Sequence, residues 1–180
     1  MSTPKDQSEL GGMFGESVMA RKIRGKLILK NKPKRKPVTL DKSKSKFFEA
    51  SSYGKDLTDE SKAIYATGIN SKMRSAYMVA VSDYLSAPKV GPIDTNDYKG
   101  AIGNPIVVKA VDDFMVTRVK VTITDANGNE LEAGEAAMLP EKKFFWKYEA
   151  TVANPVLKGL TITALAYDRA GNNTSFEKVL

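Results

Sequence analysis

Between Arg21 and Lys46 the chain carries twelve basic side chains against one acid, Asp41. They are Arg21, Lys22, Arg24, Lys26, Lys30, Lys32, Lys34, Arg35, Lys36, Lys42, Lys44 and Lys46. At this density lysine and arginine can neutralise several phosphates of a nucleic acid and release its counterions, giving salt-dependent binding without base readout. The same charges can meet an acidic groove on a protein. Interleaved with them, Ile23, Leu27 and Leu29 make an apolar strip that phosphate contacts do not need. Such a strip would anchor the segment along a neighbouring subunit, so protein assembly is the first expectation, nucleic-acid binding the second and a solubilising tail the third.

A second set of polar residues, Asp112, Asp113, Asp125, Asn127, Asn129 and Asp168, falls near expected strand ends. Loops of this composition can hold Ca²⁺ through carboxylate and amide oxygens. Asp and Asn also favour turns for their own capping chemistry, and that reading needs no ligand. The run from Asp125 lacks the terminal glutamate of a calcium-binding loop, and the adjacent Asp112 and Asp113 point apart if extended. A metal site would need side chains from separated loops to converge, so no metal and no cofactor are assigned.

Catalytic chemistry is narrowed by composition. The chain has no His and no Cys, which removes zinc fingers, catalytic triads, thiol nucleophiles and disulfides. Ser-x-x-Lys spacing recurs at Ser2, Ser43, Ser52, Ser86 and Ser175, a scatter expected in a lysine-rich chain, with no accompanying SDN or KTG motif. The GMFGES segment lacks the glycine spacing of a phosphate-binding loop. With no assembled set of catalytic roles, the protein is expected not to be an enzyme.

The elements that must carry these residues follow from charge and periodicity. Over 180 residues the formal charge is +7, but residues 1–50 hold thirteen basic and five acidic side chains, net +8, and the remainder is near neutral. The excess therefore describes an extended basic arm, residues 1–38, whose self-repulsion resists compaction and whose early glycines need a partner for order. Pro33 and Pro37 deny its later part a helix or central strand. Residues 39–100 read as a helical segment and linker. A first helix opens near Thr39 and carries Phe47, Phe48, Ala50 and Tyr53 to Gly54. A second is capped by Thr58, has Asp59 and Glu60 in its first turn and stops at Gly68. A third recurs at Met73, Tyr77, Ala80, Val81, Tyr84 and Leu85 and is ended by Pro88. From Ile106 the period becomes 2, with Val119, Val121 and Ile123 alternating with polar residues before the Asp125–Asn129 turn. Further strands are expected over residues 131–137, 144–152, 161–168 and 174–179. Trp146 is expected to pack in the core.

The segments VDDFMVTRVKVTITDANGN (111–129), FFWKYEATV around Trp146, and LTITALAYDRAGNNTS (160–175) resemble bacterial immunoglobulin-like or fibronectin-III-like modules. The resemblance covers about residues 102–180, with Ala166, Asp168, Gly171 and Asn172 forming the turn before the last strand. It implies an immunoglobulin-like antiparallel β-sandwich over residues 101–180, in a mainly β protein, and a role as spacer, adhesin or attachment domain.

The expectation is a non-catalytic structural or assembly protein whose arm binds neighbouring subunits, or an acidic scaffold, in a filament, shell or phage-like particle. It would work as a homo-oligomer or larger assembly. A nucleic-acid-binding or packaging protein, and a surface adhesion module, are the alternatives. No run is apolar enough to span a bilayer and no signal-peptide core is evident, so the cytoplasm or an assembled particle is the expected location.

Overall fold

The structure is a computed structural model that describes residues 12–14, 18–23, 26–31 and 42–180. The chain divides into two compact units, residues 1–40 and 41–180.

In the first unit, β1 (Gly12–Phe14), β2 (Val18–Ile23) and β3 (Lys26–Asn31) form an antiparallel meander. The register sets Lys22 opposite Leu27, Ala20 opposite Leu29 and Arg21 opposite Ile28. Leu27, Ile28 and Leu29 stand together in the middle of β3, and aliphatic residues of this kind favour the pleated, paired backbone seen here.

The second unit begins with three helices, α1 (Lys42–Lys55), α2 (Asp59–Ala66) and α3 (Ala76–Leu85). The Thr58 hydroxyl accepts from the Ser61 amide at the start of α2, and the Ser75 hydroxyl accepts from the Met78 amide at the start of α3. Met73 precedes α3, held in a turn where Asn70 Oδ1 accepts from the Lys72 and Met73 amides. Gly54 is not the helix stop its residue type suggests; α1 runs through it. A Cβ there would lie 2.8 Å from Tyr77 Cδ2 and 2.9 Å from Val81 Cγ2, so glycine is what lets α1 cross α3 closely.

Seven strands follow: β4 (Lys89–Asp94), β5 (Pro105–Val111), β6 (Val116–Thr124), β7 (Glu130–Met138), β8 (Phe145–Glu149), β9 (Thr161–Asp168) and β10 (Asn173–Val179). They form one antiparallel sheet in the order β10-β9-β6-β7-β8-β5-β4. The immunoglobulin-like sandwich implied by the sequence resemblance is thus corrected: the strands make a single sheet that nearly closes into a barrel, with three helices. The finding that decides this is β7. Its first part pairs with β6 (Val119 opposite Ala136), and its last residues pair with β8 (Met138 opposite Trp146), so no break divides the strands into two sheets. Curling brings the edges together, where Lys178 Nζ on β10 donates to Ile93 O (3.1 Å) and to Thr95 Oγ1 (2.8 Å) next to β4. The segment expected to be linker supplies β4, an edge strand where Pro92 is tolerated beside a register shift between Val90 and Ile93.

Alternate residues of β5, β6, β8 and β9 point inward. Ile106, Val108, Val119, Val121, Ile123, Ile162, Ala164 and Ala166 are fully buried, with Trp146 and Tyr148 completing one core. The expected core role of Trp146 matches this. A smaller cluster of Tyr65, Val79 and Ala80 packs against Phe114 from the β5–β6 loop, which seats the helices on that loop.

Candidate functional site

Helix α3 places Asp83 on the buried face of Val79 and Ala80, which stand four and three residues before it. Asp83 is 0% exposed, and it stands in the last helical turn, where the helix dipole disfavours negative charge. Its Oδ2 accepts from the Tyr65 hydroxyl at 2.7 Å. Because that bond uses Tyr65's only hydroxyl proton, Tyr53, 2.8 Å from the Tyr65 oxygen, is the donor in the next bond of the chain.

The β5–β6 turn brings two more acids to this point. Asp112 Oδ2 accepts from the Phe114 and Met115 amides, both at 3.0 Å, which tightens the turn. Asp113 Oδ2 accepts from the Ser82 hydroxyl at 2.8 Å. One oxygen from each of Asp83, Asp112 and Asp113 lies within 4.8 Å of the others. Asp83 Oδ1 and Asp112 Oδ1 are buried with no hydrogen-bond partner.

The β9–β10 turn fixes the helix end that carries Asp83. Asn172 Nδ2 lies 3.0 Å from Asp83 O, 3.3 Å from Tyr84 O and 3.2 Å from Ser86 O, at a helix C-terminus where carbonyls run short of amide donors. It also reaches Asp168 Oδ2 at 2.7 Å, while the Asn172 amide donates to Asp168 Oδ1 at 2.7 Å. The residues that suggested an immunoglobulin-type turn therefore clamp α3 to the sheet.

Burial, the largest effect, pushes the Asp83 carboxyl up to about 7. The Tyr65 hydrogen bond opposes the rise, and the negative charges of Asp168 and Asp112 add to it. Asp168 is also raised by burial, against the bonds from Asn172, and the Tyr65 hydroxyl is raised by burial and by its Tyr53 and Asp83 partners. Among the described residues the ion pairs are Lys62–Asp59, Arg118–Glu135 and Lys147–Glu149, so none neutralises the acid cluster.

Glu132 shows what a structural carboxylate in this protein looks like. Buried, it accepts at Oε2 from the Tyr148 hydroxyl and from the amide and hydroxyl of Thr151, and at Oε1 from Asn154 Nδ2. Both its oxygens are occupied, whereas Asp83 and Asp112 each leave one without a donor. A cleft of about 490 Å³ opens at Asp112 and Asp113 beside Ser86 and Lys89. On the other side of Asp112 lies an apolar cleft of about 550 Å³ between Phe114, Met115, Met138, Phe144 and Trp146.

Of the residues singled out by sequence, Asp112 and Asp113 converge in this cluster and Asp168 stands behind it, because they occupy a turn and not the extended backbone that would point them apart. Asp125, Asn127 and Asn129 close their own turn: Asp125 Oδ1 accepts from the Asn127 and Asn129 amides, both at 2.8 Å. Asp83 carries a signal that periodicity alone could have revealed, an acid in register with the apolar face of α3.

In the basic segment, Lys26 and Lys30 are exposed on β3, as are Leu27 and Leu29 at 53% and 61%. Arg21, Lys22 and Ile23 lie on β2, and Lys42, Lys44 and Lys46 on α1, where Lys46 Nζ donates to Leu85 O at 3.2 Å. Arg24, Lys32, Lys34, Arg35 and Lys36 lie outside the described residues. No helix among the described residues is long and apolar enough to cross a membrane. Compared with known proteins, the chain matches no protein-family model, no curated protein and no solved structure.

Proposed function

We propose that the protein is a non-catalytic structural or assembly protein that uses residues 12–31 and the basic stretch after them to join neighbouring copies of itself in a larger particle or filament. The observation that carries this reading is β3, a regular strand whose Leu27 and Leu29 share one face and are more than half exposed. Lys26 and Lys30, also exposed, take the other face. One side of such a strand suits an apolar seat on a neighbour and the other an acidic surface. Covering the two leucines supplies about 2–4 kcal/mol, enough to change an association constant by about 30-fold or more.

The density of basic residues favours a second reading, in which the same segment contacts nucleic-acid phosphates. The two separate on full-length chains carrying either Leu27→Ser with Leu29→Ser or Lys26→Gln with Lys30→Gln, followed by light scattering and by duplex-DNA titration across salt. Assembly predicts that the leucine substitutions abolish concentration-dependent association in the absence of nucleic acid. Unchanged association in the leucine variant, together with DNA binding that weakens in the lysine variant and falls steeply with salt, would select the nucleic-acid reading.

A further inference from the structure

We propose that Asp83, Asp112 and Asp113 form a divalent-cation site of the hard, oxygen-liganded class, suited to Ca²⁺. The three carboxylates come from a helix and from the β5–β6 turn, and one oxygen of each lies within 4.8 Å of the other two. Ca²⁺ bonds oxygen at about 2.3–2.6 Å, so oxygens on opposite sides of one ion stand about 4.6–5.2 Å apart, and all three fit within one shell. Ca²⁺, which accepts six to eight oxygens in flexible geometry, suits donors drawn from a helix and a turn better than Mg²⁺, which demands a near-ideal octahedron.

A group of acids alone would carry no such assignment. The independent observation is Asp83, fully buried, with Oδ1 facing no donor. Its other oxygen is held by Tyr65, Asp112 Oδ2 is held by two backbone amides, and Asp113 Oδ2 by Ser82. Each ligand is thus oriented by a neighbour through one oxygen, leaving the other for the ion, as outer hydrogen bonds orient metal ligands elsewhere. The cleft at Asp112 and Asp113, which Lys89 also lines, leaves room at those two carboxylates for waters to complete six to eight ligands.

Tyr65 supplies an intrinsic reporter, because its hydroxyl touches Asp83 and tyrosine excitation sensitises Tb³⁺, an ion that occupies Ca²⁺ sites. The test uses the full chain, titrated with Tb³⁺ under tyrosine excitation, then with Ca²⁺ and Mg²⁺ as competitors, alongside Ca²⁺ calorimetry. We expect saturable luminescence displaced by Ca²⁺ at lower concentration than by Mg²⁺, and a Ca²⁺ dissociation constant of about 10–100 μM. Asp113→Asn, at an exposed side chain, weakens Ca²⁺ at least tenfold while the metal-free melting temperature stays unchanged. Asp83→Asn weakens it further, and circular dichroism checks that this variant folds. Absence of luminescence and of heat at millimolar Ca²⁺ overturns the proposal, as would be seen if Asp83 and Asp112 simply share a proton. Binding that Asp113→Asn leaves intact overturns it too, since the ion would then sit on other surface acids.

Discussion

Replacing Asn172 with alanine tests how the helical and sheet parts of the 41–180 unit are joined. The side-chain amide lies within hydrogen-bond reach of three carbonyls at the end of α3 and of Asp168 Oδ2. With two N–H groups it sustains about two full bonds at a time, one to a carboxylate and one shared among carbonyls. A bond to a charged group is worth about 1.5–3 kcal/mol and a neutral one about 0.5–1.5 kcal/mol, so Asn172→Ala removes about 3 kcal/mol. The Asn172 backbone bond to Asp168 Oδ1 survives, which keeps the loss from being larger. At about 2–4 °C per kcal/mol for a unit of this size, the melting temperature falls by about 6–12 °C. Differential scanning calorimetry on the full chain at fixed pH and salt reads the shift. Asn172→Asp, which replaces the donor with a second carboxylate beside Asp168, should lose at least as much. A fall under about 2 °C for Asn172→Ala would refute the clamp, since it lies below the cost of even one buried carboxylate losing its donor.

Three further outcomes follow from the same geometry. Gly54→Ala places a methyl 2.8 Å from Tyr77 Cδ2 and forces α1 away from α3, lowering stability to urea by about 1–3 kcal/mol; an unchanged midpoint would show that the crossing has slack. Lys178→Met removes the bonds to Ile93 O and Thr95 Oγ1, so amide exchange along β4 should quicken before exchange in β6 and β9 does; uniform exchange would contradict an edge-to-edge closure through this lysine. Asp125 is held below its ordinary value of 3.8, chiefly by the Asn129 side chain and then by backbone amides. A depressed folded value means that its contribution to the β6–β7 turn is complete above the ordinary value and is lost as pH falls through the lower, folded one. A carboxyl NMR titration of Asp125 should therefore show a midpoint under 3.8, and Asp125→Asn should remove the corresponding acid dependence of the turn.

Much of the local structure was legible in the sequence because it is set by short-range chemistry. Thr58 before two acids caps α2, and the Asp125–Asn129 run closes the β6–β7 hairpin by its own side-chain bonds. The alternation of Val119, Val121 and Ile123 places them inside. The sheet's closure was not legible. Period-2 patterning marks which face of a strand is buried and leaves open whether its neighbours belong to one sheet or two. Here the answer lies in β7 changing partners near Ala136 and Ala137, a long-range event with no local signature. Pro92 and Gly91 hid β4, since an edge strand tolerates residues that argue against a central one. The acid cluster was half legible. Asp112 and Asp113 stood out as turn residues, but their partner Asp83 comes from a helix about thirty residues earlier, and only the seating of α3 on the β5–β6 loop brings it near.

The proposed role of the leading strands in assembly is tested most directly by sedimentation of the full chain beside residues 41–180 over a concentration series. The full chain should sediment as species heavier than 19.7 kDa whose size grows with concentration, while residues 41–180 remain a single monomeric species. Two non-associating monomers across the whole series would contradict it.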